Sequence, residues 1–291
     1  MKVAIECYIC LLERAIRLAK FLGSDDDALR VAKEISRMLI EKFDFDQVPA
    51  VIGTLREKII MRVLNNDNPY HQIKIESNKT ALKVAEKIFR EIDLSDTSYE
   101  NFRRIMIIAA AANAMEWFIR GHEFSLDVFE DMLNKAPELI EIDDTRELYD
   151  YVRRANTLLY VLDNAGEAVI DKYVAKYLRN FVKRIYVGAR SRPILNDITV
   201  DEARELGFHE VCDEIVPVGD FVGIILENVT EDFRRAYRES DVVIAKGMGA
   251  YESITEYKLE KPVFVILKAK CITIAKSLGI PQGKLAIKRI S

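Results

Sequence analysis

The rhythm of apolar positions changes near residue 155. Before it, apolar residues recur at spacings of three and four, as in Tyr8, Leu11, Leu12, Ala15, Ile16 and Ala19. That is the signature of helices with one buried stripe. The same period predicts helices over 28–43, 50–64, 81–92, 102–119 and 126–133. Start signals fit the pattern. Asp25, Asp26 and Asp27 precede the second helix, Pro49 opens the third and Ser125 caps the sixth. The run 65–70, rich in Asn, Asp and Pro, reads as a turn, and 143–148 opens another helix.

From residue 157, short apolar runs alternate with helical stretches. Strands are predicted over 157–162, 185–188, 214–218, 241–245 and 262–267. Helices are predicted over 167–181, 200–206, 229–239, 251–258 and 271–278. Near-continuous apolar strands separated by helices imply a parallel sheet covered on both faces. The expectation is therefore an all-helical domain over 1–154 and an open, doubly wound α/β domain over 155–291. No Gly/Ser/Pro linker separates them, which suits direct packing of the helical half on the sheet.

Composition narrows the function classes. Of 291 residues, 49% are hydrophobic and 31% charged, a core-forming balance. A net charge of −4 argues against a nucleic-acid binder held by a general basic field. The longest apolar stretch, 105–115, is interrupted by Asn113 and falls short of the ~20 residues a bilayer needs. Glu6 sits where a secretory segment would be apolar. A cytoplasmic protein with no membrane partner is expected. Four cysteines make no disulfide framework.

In open α/β sheets, ligands bind beyond the carboxyl ends of the strands. The residues there are Asp163-Asn164-Ala165-Gly166-Glu167, the loop 189–199 containing Asn196 and Asp197, and Lys246-Gly247-Met248-Gly249. Carboxylates and amides suit a hard divalent cation such as Mg²⁺ or Mn²⁺. Asp163, Asn164 and Asp197 are the candidate oxygen ligands. Lys246 offers a point charge for a phosphate, and the 247–249 backbone can approach it closely. Taken singly, Asp163-Asn164 also reads as a helix cap, Asp197 as a turn residue and Lys246 as a surface lysine. Their coincidence at three strand ends favours a site.

Other motifs are missing. There is no G-x-G-x-x-G after the first strand, no phosphate loop and no nucleophile elbow. His71, His122 and His209 show no paired metal spacing. Cys7-x-x-Cys10 places two thiols on one helix face. Without a second such pair it reads as structural, with a role at the edge of a site as the alternative.

Together, 163–167, 196–199 and 246–253 resemble the damage-control phosphatase family, long termed domain of unknown function 89. Cys7-Tyr8-Ile9-Cys10, Asp67-Asn68-Pro69-Tyr70, Ala112-Asn113-Ala114 and Lys268-Ala269-Lys270-Cys271 are similar to its prokaryotic, CxxC-containing branch. The resemblance spans nearly the whole chain. It implies a helical part on a Rossmann-like three-layer α/β part. It implies a phosphatase, dependent on a divalent cation (Mg, Mn, Co or Ni), that acts on small phosphorylated metabolites such as sugar phosphates. By motif, Asp163, Asn164 and Asp197 match metal ligands, and Lys246 matches a phosphate-contacting lysine. Asn113 matches a residue facing the same cleft, and Glu167 a frequent acid of the first motif. Asp163, Asp197 and Lys246 are thus the expected catalytic set; Asn113, Glu167, Lys246 and Gly247 are expected to hold substrate. A water or Asp163 itself would attack phosphorus. A non-catalytic phosphometabolite sensor is the competing class, and a methyltransferase-like protein a weaker one.

Overall fold

Alternation along the strands sorts the core into two layers. In the strand that opens the α/β region, Leu158, Tyr160 and Leu162 enter one apolar cluster, and Leu159 and Val161 enter the other. The computed structural model describes residues 1–114 and 135–291. The helix predicted over 126–133, its cap Ser125, the end of the 102–119 helix and His122 lie outside the described residues.

Seven strands form one sheet: β1 (Ile140–Asp143), β2 (Thr157–Val161), β3 (Arg184–Ala189), β4 (Glu214–Pro217), β5 (Val242–Lys246), β6 (Val263–Lys268) and β7 (Leu285–Arg289). Their order is β1-β7-β6-β5-β2-β3-β4. All neighbouring pairs are parallel except β6 with β7. The five expected strands are present within a residue or so of their predicted limits. Two corrections apply. β1 falls inside the span expected to be all-helical, and the antiparallel β7 breaks the expected all-parallel pattern.

Helices α1 (Ile5–Leu22), α2 (Asp25–Lys42) and α3 (Pro49–Leu64) pack on one another. α4 (His71–Arg90) starts ten residues before the predicted 81. α5 (Tyr99–Ala112), α6 (Thr145–Arg154) and α7 (Glu167–Leu178) follow, then α8 (Val200–Glu205), α9 (Glu231–Glu239), α10 (Gly247–Ile254) and α11 (Ile272–Leu278). The acids at 25–27 lie in the first turn of α2, not before it. Ser24 is the cap, accepting from Asp27 N while the Asp27 carboxylate accepts from Ser24 N.

Residues of α4, α5, α6 and α7 join the first cluster, and residues of α9, α10 and α11 the second. The sheet is therefore covered on both faces. The α1–α3 bundle makes a third cluster with Ile194, Leu195 and Val222, which belong to loops following β3 and β4. The bundle thus roofs the edge of the sheet at which the strands end.

Candidate active site

β2 sits between β5 and β3, where strand order reverses, so the crevice beyond its end is the switch point of the sheet. Asp163 and Asn164 leave β2 there. The loop after β3 is laced onto them: Ile198 N donates to Asp163 O at 2.8 Å, and Ala165 N to Asn196 O at 2.8 Å. Asn164 and Asp197 form an isolated bridge. Asp163, Asn164, Asn196 and Asp197 consequently line one cleft of about 270 Å³. Leu195, immediately before them, has φ +49, a left-handed conformation that strains a branched side chain by about 1–2 kcal/mol. Burial of Leu195 in the α1–α3 cluster holds that conformation and aims the two residues after it.

Neighbouring side chains hold the acids in place. Asn113, at the end of α5, donates to Asp163 Oδ2 at 3.1 Å and to Glu167 Oε2 at 2.9 Å, and accepts from Lys268 N. Asn164 Nδ2 donates to the same two oxygens, at 2.6 and 3.1 Å. Arg190 Nε donates to Asp197 Oδ2 at 2.7 Å, while its Nη1 donates to Gly223 O. Gly247 has φ +81, and a Cβ there would lie 1.9 Å from Asp163 Oδ2. Only glycine lets the first turn of α10 close against that carboxylate.

Lys246 is the main departure from expectation. Strand alternation turns it to the same face as Ile244, toward α5 and α7 and away from the crevice. Its Nζ lies 2.7 Å from Glu167 Oε1, 2.7 Å from Asp171 Oδ1 and 2.9 Å from Ala109 O. Three acceptors match its three N–H donors. It is 1% exposed and has no donor left for a phosphate. Asn113 and Glu167 are as deeply buried, and Gly247 backs Asp163. Of the residues expected to hold substrate, none lines the cleft; they form the layer behind it. The strand-end cation that does line the cleft is Lys270, two residues beyond β6. Its position past a strand end was the signal available in the sequence. Arg56, Arg14 and Glu252 also line the cleft and carry no motif.

The charges are unbalanced. Asp163, Glu167, Asp171 and Asp197 are buried here against the buried cations Lys246 and Arg190; Lys270 also acts on Asp163 and Glu167, and Lys74, already paired with Glu202, acts on Asp197. Burial, then Asp197 and Glu167, push the Asp163 carboxyl well above its ordinary range. Burial also raises Asp197, against the pull of Arg190. Glu167 goes the other way: burial opposes its ionisation, but Lys246, Lys270 and Asn113 together hold it low. Asp171 is raised to about 6 by burial. Lys246 is raised, its two carboxylate partners overcoming the cost of burial.

Glu252 is raised by burial from 4.5 to about 7. The folded protein therefore binds this proton more tightly than the unfolded chain, and the stability so gained is lost as pH rises from about 4.5 to about 7. Glu252→Gln should match the parent protein in acid and exceed it in stability above pH 7. Urea midpoints across that range check this, and parallel curves would refute it.

Cys7, Cys10 and Cys271 line the same cleft, so the two thiols of the CxxC lie at the site's edge. Cys7 Sγ meets Thr273 Oγ1 at 3.7 Å, and Cys271 Sγ accepts from Ile274 N. All four cysteines are free. His71 and His209 are exposed and away from the cleft. Among the described residues, no helix is long and apolar enough to cross a membrane. Nor do the described residues contain a group of three or more His, Cys, Asp or Glu side chains gathered to hold a metal. The strand-end donors in the cleft are the carboxylates of Asp163 and Asp197 with the amides of Asn164 and Asn196.

This is a mixed α/β protein with an acidic, oxygen-rich cleft at the switch point of a mostly parallel sheet. It belongs to the family described as the damage-control phosphatase ARMT1-like domain, whose model matches residues 3–286. Uncharacterized protein MJ0202 of Methanocaldococcus jannaschii is 32% identical over 97% of this chain and 94% of its own. Damage-control phosphatase PH1575 of Pyrococcus horikoshii is 30% identical over 99% of this chain and 98% of its own. The crystal structure of that protein, titled a DUF89 family protein, superposes with a TM-score of 0.90 over the full length of both chains. A damage-control phosphatase of Archaeoglobus fulgidus is 28% identical over 99% of each chain.

Proposed function

We propose that this protein is a divalent-metal-dependent phosphatase that hydrolyses small phosphorylated metabolites, sugar phosphates among them. The observation that carries the reading is the surplus of buried negative charge at the cleft. Asp163 is buried against the charges of Asp197 and Glu167, which the pull of Lys270 and Arg190 does not offset, and a doubly charged ion would relieve that repulsion. Asp163 and Asp197, with the amide oxygen of Asn164, form the donor set, and all-oxygen donors suit a hard cation. Such an ion, when bound, supplies Lewis acidity toward phosphoryl oxygens and acidifies water.

The chain's own residues do the rest. Arg190 holds Asp197 in one orientation, and the amides of Asn113 and Asn164 do the same for Asp163. Lys246 keeps Glu167 ionised, so that Glu167 can accept from both amides. Lys270 faces the cleft and is the side chain that binds the anionic ester. The family and its two relatives named damage-control phosphatases support the same chemistry.

The test is phosphate release from sugar phosphates and p-nitrophenyl phosphate after chelator treatment, with Mg²⁺, Mn²⁺, Co²⁺ or Ni²⁺ added back. Chelation should lower turnover by roughly a hundredfold or more, and one of the metals should restore it. Saturable binding of sugar phosphates with no release under any metal would instead identify a sensor.

A further inference from the structure

We propose that the cleft holds a second anion-binding subsite, centred on Arg56, and that the physiological substrate carries a second oxyanion, carboxylate or phosphate, beyond the ester that is cleaved. The inference rests on the phosphatase reading and names its substrate class.

Arg56 lies on α3, in the roof of the cleft, and is 4% exposed. A guanidinium so buried is costly unless its position is specified. Here it is. Glu57 Oε1 takes Arg56 Nε at 2.7 Å and Nη2 at 2.6 Å. The other Glu57 oxygen accepts from Tyr70 Oη at 2.5 Å. Burial, then the Glu57 charge, hold the Tyr70 phenol protonated, so it remains a donor. Glu57 and Tyr70 are themselves 0% and 2% exposed. This relay fixes the guanidinium and leaves Nη1 without a hydrogen-bond partner among the described residues. A rigid fork with a spare edge on a cleft is built to receive a planar or tetrahedral oxyanion.

The surroundings agree. Arg14, on α1, lines the same wall, and both Arg14 and Arg56 act on the Glu252 carboxyl. Glu252 is the acid an incoming anion would meet. Its raised affinity for a proton lessens the repulsion such an anion would meet. Arg17, the next cation along α1, is matched by Glu13 at 3.3 Å. The Arg56 pair is on the roof, whereas Asp163, Asp197 and Lys270 come from the strand ends. One ligand would therefore be held at two points.

The experiment uses matched compounds that differ only in the second charge. Fructose 1,6-bisphosphate is compared with fructose 6-phosphate, and 3-phosphoglycerate with glycerol 3-phosphate, in turnover and by titration calorimetry. The wild-type protein should favour the doubly anionic member of at least one pair by about tenfold or more. Preference within the first pair alone assigns a phosphate; within the second alone, a carboxylate. Arg56→Gln should cut the preference to near unity, and Arg56→Lys should restore only part of it. Arg14→Gln should lower it too, which covers loss of folding in the Arg56 variants. Arg37→Gln, at an exposed position of α2 that does not line the cleft, should leave it intact. Equal handling of both members by the wild-type protein, or a preference that survives Arg56→Gln, would overturn the proposal. Calorimetry keeps this outcome separate from the phosphatase reading, because discrimination in binding is measurable even where no ester is cleaved.

Discussion

Asp163→Asn is expected to lower turnover about 10³-fold or more, while making the metal-free protein more stable. Both effects come from one charge. In the folded protein the Asp163 carboxylate is buried beside Asp197 and Glu167, and its affinity for a proton is well above that of an exposed aspartate. Stability associated with the protonated form is complete below pH 3.8, and it is lost as pH rises through the folded-state value. At neutral pH the ionised group therefore works against folding. An asparagine keeps the shape and accepts from Asn113 and Asn164 through its own oxygen, without the charge. Thermal melts after chelation should show the variant several degrees above the parent. Saturating Mn²⁺ should reverse the order, because only the parent gains from binding. A variant that melts lower than the parent without metal would remove the argument that this acid is held under electrostatic stress for function.

Lys246→Met should strongly destabilise the protein rather than merely slow it. The ammonium is the counterion of both Glu167 and Asp171, and all three groups are fully enclosed. Removing one partner of a buried pair leaves uncompensated charge, at a cost of about 3–5 kcal/mol. The measure is the urea midpoint at constant slope. Adding Asp171→Asn should recover part of the loss, since it removes one of the two carboxylates that would be left without their counterion. If Lys246 instead contacted phosphate, KM would rise while the midpoint stayed put.

The contrast between those two residues shows what the sequence could carry. The gathering of Asp163, Asn164 and Asp197 at one cleft was legible because strand ends at a switch point are a topological position, and the strands there are apolar. Lys246 follows the same rule but is itself the last residue of β5. Whether it faces outward or sideways depends on strand parity, which an apolar run on both faces conceals. β1 and β7 were not legible for another reason. Ile140–Asp143 is four residues long and alternates, and Leu285–Arg289 ends in Lys288 and Arg289, so neither resembles a buried parallel strand. Arg56, Arg14 and Glu252 are polar residues on amphipathic helices. Their meaning lies in the direction in which α1 and α3 lie across the sheet, which no local pattern encodes.

The order of the sheet also bears on biosynthesis. Among the described residues β1 pairs only with β7, which leaves the ribosome after the other six strands. The helices before β1 can form early, but that border of the sheet must wait for residues 285–289. Until then β1 is an unpaired edge, open to mispairing in a crowded cell. Residues 285–289 thus serve as a closing clasp. Ribosome-bound chains stalled before Leu285 should be cut by protease near residue 140, and chains released past Arg289 should resist it.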